Sequence, residues 1–414
     1  MTEPWGPIKV SVIDVERCPA EISGAPDYTA LWALVREHGR PRGMIRLPFE
    51  HEVLSRGELA RTIATLPLGT AQPPLERPST RGLPAITVVI PSLLARSASL
   101  DACLRSLAQL DYPEYEVIVV DNRPAGSPRV ELEGARVVCE PRPGISAARN
   151  RGLAEADGEI VAFTDDDVLV EPAWLLALGL RFRTHPEEAC VTGMILPAEL
   201  ETAAQVGLEE YYGSLGPRSF EPVSHRLRVA PGRRALLRPA TVDAFDDAGR
   251  LQRSFSLYAA GSFGPGGNMA FRTRTLHALG GFDLALGTGT PARGGEDLAM
   301  FARTAWHGHS LGFEPAATVH HHHYGDDDGL RRQIEGYGVG YGALLTALVL
   351  EDPRHVGRML ATVPRGVRAM GHGYRSKLDT TQPDPRNREL ARLELRGILA
   401  GPAAYVRSRF RCAP

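Results

Sequence analysis

Between residues 86 and 196 the chain alternates unbroken apolar runs with segments whose apolar positions recur at helical spacing. Residues 86–90 (ITVVI) and 116–120 (EVIVV) are rich in β-branched side chains, which predicts strands covered on both faces of a parallel sheet. Val137 and Val138 mark a short third strand, residues 160–163 a fourth and residues 189–196 a fifth. Between them, residues 100–107, 145–154 and 171–182 read as helices. Alternating β and α predicts an α/β fold whose ligands lie at the carboxyl ends of the strands.

The flanks are patterned differently. Residues 8–15 and 43–49 read as strands, and residues 28–36 and 55–66 as helices, the second opened by a Ser55–Glu58 capping box. A Pro-rich linker at 72–84 closes this small α/β module. Residues 197–260 lose the alternation and read as a partly helical insertion. A short strand follows Gly266-Gly267-Asn268, and a helix through 303 opens at Gly294-Gly295-Glu296-Asp297. Residues 315–319 lead into His320-His321-His322-His323, and Asp326 to Asp328 cap a helix over 330–350. Residues 353–414 read as helical with Pro and Gly breaks. The expected division is an accessory module with its linker at 1–84, a catalytic domain at 85–325 and a helical, basic region at 326–414.

Composition adds limits. At 414 residues, 43% hydrophobic and 23% charged, the chain is of ordinary globular make-up, and a net charge of -2 argues against general nucleic-acid binding. Residues 353–414 carry thirteen Arg/Lys against four Asp/Glu, a face suited to an anionic membrane or acidic partner, or simply to solvent. Five scattered cysteines without a CxxC pair point to a reducing compartment, with Cys103, Cys139 and Cys190 read as core residues. No signal-like start and no spanning-length apolar run occur, so a cytoplasmic protein is expected.

The chemistry concentrates where the fourth strand ends in Asp165-Asp166-Asp167. Side chains alternate along an extended chain, so Asp165 and Asp167 lean one way and Asp166 the other. Two carboxylates at a buried strand end repel unless a cation lies between them, and their hard oxygens favour Mg²⁺ or Mn²⁺ with substrate phosphates. The plainer reading is a solvated acidic turn. Of the four histidines, alternation lets at most two, such as His321 and His323, serve one site. Glu296 and Asp297 suit a helix N-terminus on dipole grounds alone.

Taken in order, ITVVIPS, EVIVVDN, GISAARNRG, IVAFTDDDV, GPGGNMAF, GGFD, GGEDLAMFAR and the His run followed by RRQIEGYGVGYG resemble the inverting family 2 glycosyltransferases. The resemblance covers residues 86–341 and implies the GT-A fold, a Rossmann-like, mostly parallel sheet. It implies a UDP-, GDP- or dTDP-sugar donor lying across the strand ends, with Mn²⁺ or Mg²⁺ as cofactor. Asp121 would hydrogen-bond the base, with Pro91 and Ser92 flanking the pocket and Arg142 or Arg149 reaching the nucleotide. Asp165 and Asp167 would form the DxD pair, Asp167 the more direct metal ligand, with Asp166 beside the donor. His321 or His323 would complete the metal shell; four consecutive histidines replace the family's alternating His-Arg-His and leave that choice open. Asp297 would be the catalytic base, Glu296 would orient the loop or the acceptor, and Gly266, Gly267 and Asn268 would let backbone approach the sugar.

The resemblance implies a hexosyl transfer to an acceptor hydroxyl; the basic C-terminal region and the 197–260 insertion permit a lipid-linked acceptor or a cell-envelope polysaccharide or glycolipid, and equally a small natural product or a peptide, with peripheral membrane contact through that basic region. Competing readings are a sugar-phosphate nucleotidyltransferase, a non-enzymatic sugar-binding or scaffold protein of the same fold, and a retaining transferase on that fold, against which the Glu296-Asp297 placement argues. Pro91-Ser92-Leu93-Leu94 after the first strand lacks the glycines and cations of a nucleotidyltransferase phosphate loop. Asp165, Asp167 and Asp297 together argue against the scaffold.

Overall fold

A computed structural model describes residues 6–25, 27–66, 74–75, 82–212, 220–228, 238–362 and 385–412. Most of the expected 72–84 linker and part of the basic tail, 363–384, lie outside the described residues.

The N-terminal module consists of β1 (Ile8–Asp14), β2 (Glu21–Ser23), β3 (Ala30–Glu37), β4 (Arg40–Pro48), β5 (Val53–Ser55) and α1 (Arg56–Ile63). Ser55 and Glu58 form the capping box reciprocally at the start of α1. One expectation fails: residues 28–36 were expected to be helical, yet β3 is the central strand of a β1-β3-β4 sheet. Leu31, Ala33 and Val35 point towards Leu59 and Ile63 of α1. Ala30, Trp32 and Leu34 face the other way, against Leu196, Leu200, Val206 and Phe313 of the larger domain. A strand covered on both faces is apolar at every position, so periodicity alone cannot separate it from a buried helix.

The larger domain is built on an 11-stranded sheet. Its elements are β6 (Ile86–Ser92), α2 (Ser97–Leu107), β7 (Tyr115–Asp121), β8 (Arg136–Cys139), α3 (Ile145–Glu155), β9 (Ile160–Thr164), β10 (Val168–Val170), α4 (Trp174–Thr184), β11 (Glu188–Pro197), α5 (Ala203–Tyr212), β12 (Val223–Arg228), β13 (Thr241–Phe245), β14 (Leu251–Ser256), β15 (Asn268–Arg272), α6 (Thr273–Ala278), α7 (Glu296–Trp306) and β16 (Ser310–His321). The order is β14-β13-β12-β16-β11-β15-β9-β6-β7-β8, with β10 paired to β16. Strands β6, β7, β8 and β9 are mutually parallel, β11 and β16 are parallel to each other, and β15 is inserted antiparallel between β9 and β11. Most strands therefore run one way, as the sequence pattern predicted.

Alternate residues of β6 and β9 divide the core. Val88, Ile90 and Ala162 meet α2 and α4, while Val89, Val161 and Phe163 meet α3 and α7. Two further expectations change. Among the described residues of 197–260 the helix α5 is joined by the antiparallel strands β12, β13 and β14, which extend the sheet. Cys139 lies exposed on the edge strand β8, whereas Cys103 and Cys190 are buried as expected.

Two long helices complete the chain, α8 (Asp327–Glu351), capped by the Asp326 side chain on the Gly329 N–H, and α9 (Pro385–Cys412). Among the described residues no helix is long and apolar enough to cross a membrane.

Candidate active site

The carboxyl ends of β6, β7 and β9 carry Ser92, Asp121 and Asp165-Asp166-Asp167. Hydrogen-bonding β9 between β6 and β15 fixes where the triplet emerges. Asp166 turns back into the domain, where its carboxylate accepts a 2.6 Å bond from the Ser92 hydroxyl. Burial pushes its pKa up, against the opposing pull of Ser92 and Arg96. Asp165 and Asp167 gather with His321 instead, although one Arg96 guanidinium ties Asp167 to Asp166 as well.

His321 reaches them from far along the chain because β16 is stitched to the triplet. Val168 pairs with His321 in the β10–β16 ladder, and the His322 N–H donates to the Asp167 carbonyl at 3.0 Å. One oxygen of Asp165, one of Asp167 and a ring nitrogen of His321 all lie within 4.8 Å of one another. His321 Nε2 is 3.4 Å from Asp167 Oδ1, and its buried Nδ1 has no hydrogen-bond partner. Two hard oxygens with one imidazole make a donor set that suits Mn²⁺ or Mg²⁺.

The remaining histidines each find another carboxylate. His320 bonds Glu171 at 2.8 Å, His322 bonds Glu199 at 2.6 Å and His323 bonds Glu209 at 2.9 Å. The Glu199 contact raises the His322 pKa. The His323 ring is 5.5 Å from that of His321, but the trio forms without it. Glu171 also accepts from Arg36 at 3.0 Å, which ties the N-terminal module to the histidine strand.

On the opposite flank α7 opens at Gly295, whose φ of 85° is left-handed and where a Cβ would lie 2.5 Å from the Gly340 carbonyl oxygen. This turn delivers Glu296 and Asp297. Glu296 is buried, and its Oε1 accepts from Arg149 Nη1 at 2.7 Å. The completely buried Arg149 also donates to Asp165 Oδ1 at 3.3 Å and to the Gly266 carbonyl at 3.4 Å. Burial, reinforced by the neighbouring Asp297, pushes the Glu296 carboxyl up to about 7. Asp297 is only half-buried, and desolvation raises its pKa against the attraction of Arg149.

The Gly266–Gly267 backbone runs between these carboxylates. A Cβ on Gly266 would lie 2.3 Å from Asp297 Oδ2, and one on Gly267 would lie 2.7 Å from Asp165 Oδ2. The Asn268 side chain is spent inside the fold, so only its backbone is left for the expected approach to a sugar. The side-chain amide donates to the Met194 and Ala317 carbonyls at 2.9 and 2.7 Å and accepts from Trp174 Nε1 at 2.9 Å.

At the β7 end, Asp121 accepts both guanidinium bonds of Arg123, at 2.8 and 2.7 Å, and this holds its pKa low. Asn122 fastens the β8 loop by bonds to the Glu140 and Arg142 carbonyls and from the Gly144 N–H. Arg142 is exposed and paired with Glu140 at 2.9 Å, so of the two candidate arginines only Arg149 enters the carboxylate cluster. Pro91 lies one residue before Ser92 at the end of β6.

Two residues escaped the sequence reading. Arg96, at the start of α2, grips Asp166 and Asp167 together, and Arg123 covers Asp121. Each is a single Arg in a loop just beyond a strand end, which is the only signal the sequence offers. Five carboxylates (Asp165, Asp166, Asp167, Glu296 and Asp297) thus share two guanidiniums, Arg96 and Arg149. That imbalance favours a divalent cation.

Residues 87–221 match the sequence model for glycosyl transferase family 2. The succinoglycan biosynthesis protein ExoM of Rhizobium meliloti is 30% identical over 241 residues, 54% of this chain and 63% of its own length. The glucosyl-dolichyl phosphate glucuronosyltransferase of Haloferax volcanii is 30% identical over 116 residues, 27% of this chain and 37% of its own. The chain thus spans less than two thirds of these curated relatives. Among solved structures, the mannosyltransferase PcManGT of Pyrobaculum calidifontis, in complex with GDP-Man and Mn2+, superimposes with a TM-score of 0.43 at 18% identity, covering 85% of this chain and 92% of that one. The segment carrying Ser92, Asp121, Arg149 and the aspartate triplet lies within the residues that match the family 2 glycosyl transferase model.

Proposed function

We propose that the protein moves a hexose from a nucleotide-diphosphate sugar to an acceptor hydroxyl with inversion, assisted by Mn²⁺ or Mg²⁺. The observation that carries this reading is the placing of Asp165 and Asp297 on either side of one Gly266–Gly267 backbone. An inverting transfer needs that separation, with the diphosphate on one face of the anomeric carbon and the base on the other.

Asp165, Asp167 and His321 are the residues that would hold the metal. When bound, the ion neutralises charge that builds on the departing diphosphate. Asp297, only half-buried, takes the proton from the acceptor hydroxyl as that oxygen attacks, a task helped by its raised pKa. Glu296, locked to Arg149, holds the first turn of α7 in place. Arg149 fixes the distance between the two flanks through its bonds to Glu296 and Asp165. Asp121, kept ionised by Arg123, offers carboxylate oxygens to N–H groups of the base.

For the acceptor we adopt the class suggested by the relatives' names, a growing polysaccharide or a lipid-linked glycan. Calorimetric titration with UDP-, GDP- and dTDP-sugars, with and without Mn²⁺, tests the donor half. Metal-dependent binding of one nucleotide class, abolished by Asp167→Ala and retained by Asp297→Asn, is the expected result. Failure of all donors to bind in the presence of Mn²⁺ would overturn it.

A further inference from the structure

The transfer chemistry leaves the outward face of α9 without a task. Its inward face lies nearly backbone to backbone on α8. A Cβ on Gly338 would be 2.2 Å from the Glu394 carbonyl oxygen, and one on Gly342 would be 2.2 Å from that of Ile398. Gly397 and Gly401 return the contact against Glu335 and Gly342, so the two helices run parallel. Leu390, Ala391, Ala404, Tyr405 and Ser408 are buried on this side.

Turned away from α8, Leu395 is 44% exposed, Leu399 75%, Val406 43% and Phe410 81%. At ~100° per residue these four lie within an arc of about 60°. Their apolar stripe is bordered by cations: the same rotation places Arg392 within the arc, with Arg396 and Arg409 on its two sides, all three exposed. The acidic residues of α9 are used elsewhere, Glu389 by Arg331 and Glu394 by Tyr211 and Tyr212. Among the described residues no carboxylate pairs with Arg392, Arg396 or Arg409.

We infer that this face docks on an anionic lipid surface. A narrow apolar stripe between arginines is the pattern of a helix lying in the headgroup plane, its apolar side chains entering the acyl boundary and its cations meeting phosphates. A second copy of the chain fits less well. A twofold contact would set Arg392, Arg396 and Arg409 against their own equivalents without an acidic residue between them. The inference is independent of the transfer reaction and goes beyond it.

Cosedimentation of the full chain with vesicles tests it directly. The wild type is expected to pellet with phosphatidylcholine vesicles containing phosphatidylglycerol, and to stay in solution with phosphatidylcholine alone or at high salt. Leu399→Ser with Phe410→Ser, and separately Arg392→Gln with Arg396→Gln and Arg409→Gln, should each weaken vesicle binding by roughly tenfold or more. Neither set should lower the melting temperature, because every altered side chain faces solvent. Failure of the wild type to pellet with phosphatidylglycerol vesicles would overturn the inference, as would unchanged binding by both variants. A lipid-free dimer in sedimentation velocity that Phe410→Ser dissolves would assign the face to self-association instead.

Discussion

Two adjacent glycines should fail in different ways when given a methyl group. Neither Gly266 nor Gly267 is in the left-handed region, so the backbone itself accepts alanine at both. At Gly266 the new Cβ would meet Asp297 Oδ2 at 2.3 Å, its Cβ at 2.6 Å and its Cγ at 2.7 Å. A new rotamer can move the oxygen but not the Asp297 Cβ, so either the glycine loop or the first turn of α7 must give way. Restoring an ordinary contact of 3.4 Å requires about 1 Å of movement. A displacement of that size costs roughly a hundredfold in rate when it separates a base from its substrate. The packing strain costs about 1–3 kcal/mol of stability. At Gly267 the new Cβ meets only the far oxygen of Asp165 at 2.7 Å, the next atoms being at 3.4 and 3.6 Å. Gly267→Ala should therefore weaken Mn²⁺ binding, while Gly266→Ala should lower kcat with Mn²⁺ affinity preserved. Manganese titration by electron paramagnetic resonance and steady-state kinetics with the donor found by calorimetry separate the two. Gly266→Ala turning over at the wild-type rate would refute the geometry argued for Asp297.

Arg149→Met should destabilise the fold by about 3–5 kcal/mol at pH 8, because it leaves the buried Glu296 charge unpaired. The loss should shrink below pH 7, where Glu296, already pushed up to about 7, takes a proton; denaturant melts at both pH values check this, and a pH-independent loss counts against it. His321→Ala should lower Mn²⁺ affinity by roughly a hundredfold, whereas His323→Gln should stay within roughly tenfold; equal losses would contradict the trio. Burial between Phe255 and Phe263 lowers the His225 pKa to about 3. The unfolded chain therefore binds that proton first, and stability is lost as pH falls from about 6.5 towards 3, by about 2 kcal/mol at pH 5. His225→Phe should flatten this acid limb, and unchanged melting curves at pH 7 and 5 relative to wild type would exclude it.

The alternating strands, the aspartate triplet at a strand end and the Gly-Gly-Glu-Asp helix start were legible because each is a local pattern. What the sequence could not supply was pairing at a distance. Four identical histidines differ only in their neighbours, and His321 is singled out by the ladder that sets it opposite Val168. Arg96 and Arg123 act through loop geometry that no periodicity encodes. Asn268 sits beside Gly266 and Gly267, yet the inserted antiparallel strand β15 carries its side chain into the core. Arg142 and Arg149 lie seven residues apart in sequence, and only burial separates them, Arg149 pairing with Glu296 inside the fold and Arg142 with Glu140 at the surface.

The double-sided burial of β3 also bears on how the protein is made. The face carrying Trp32 and Leu34 leaves a ribosome before its covering residue Phe313, which follows 279 positions after Leu34. At ordinary elongation rates that is a wait on the order of tens of seconds. Throughout it the Trp32–Leu34 face of the nascent module has no covering residues from the larger domain. For the same reason, the first 84 residues cannot be removed without stripping the cover from Leu196 and Phe313.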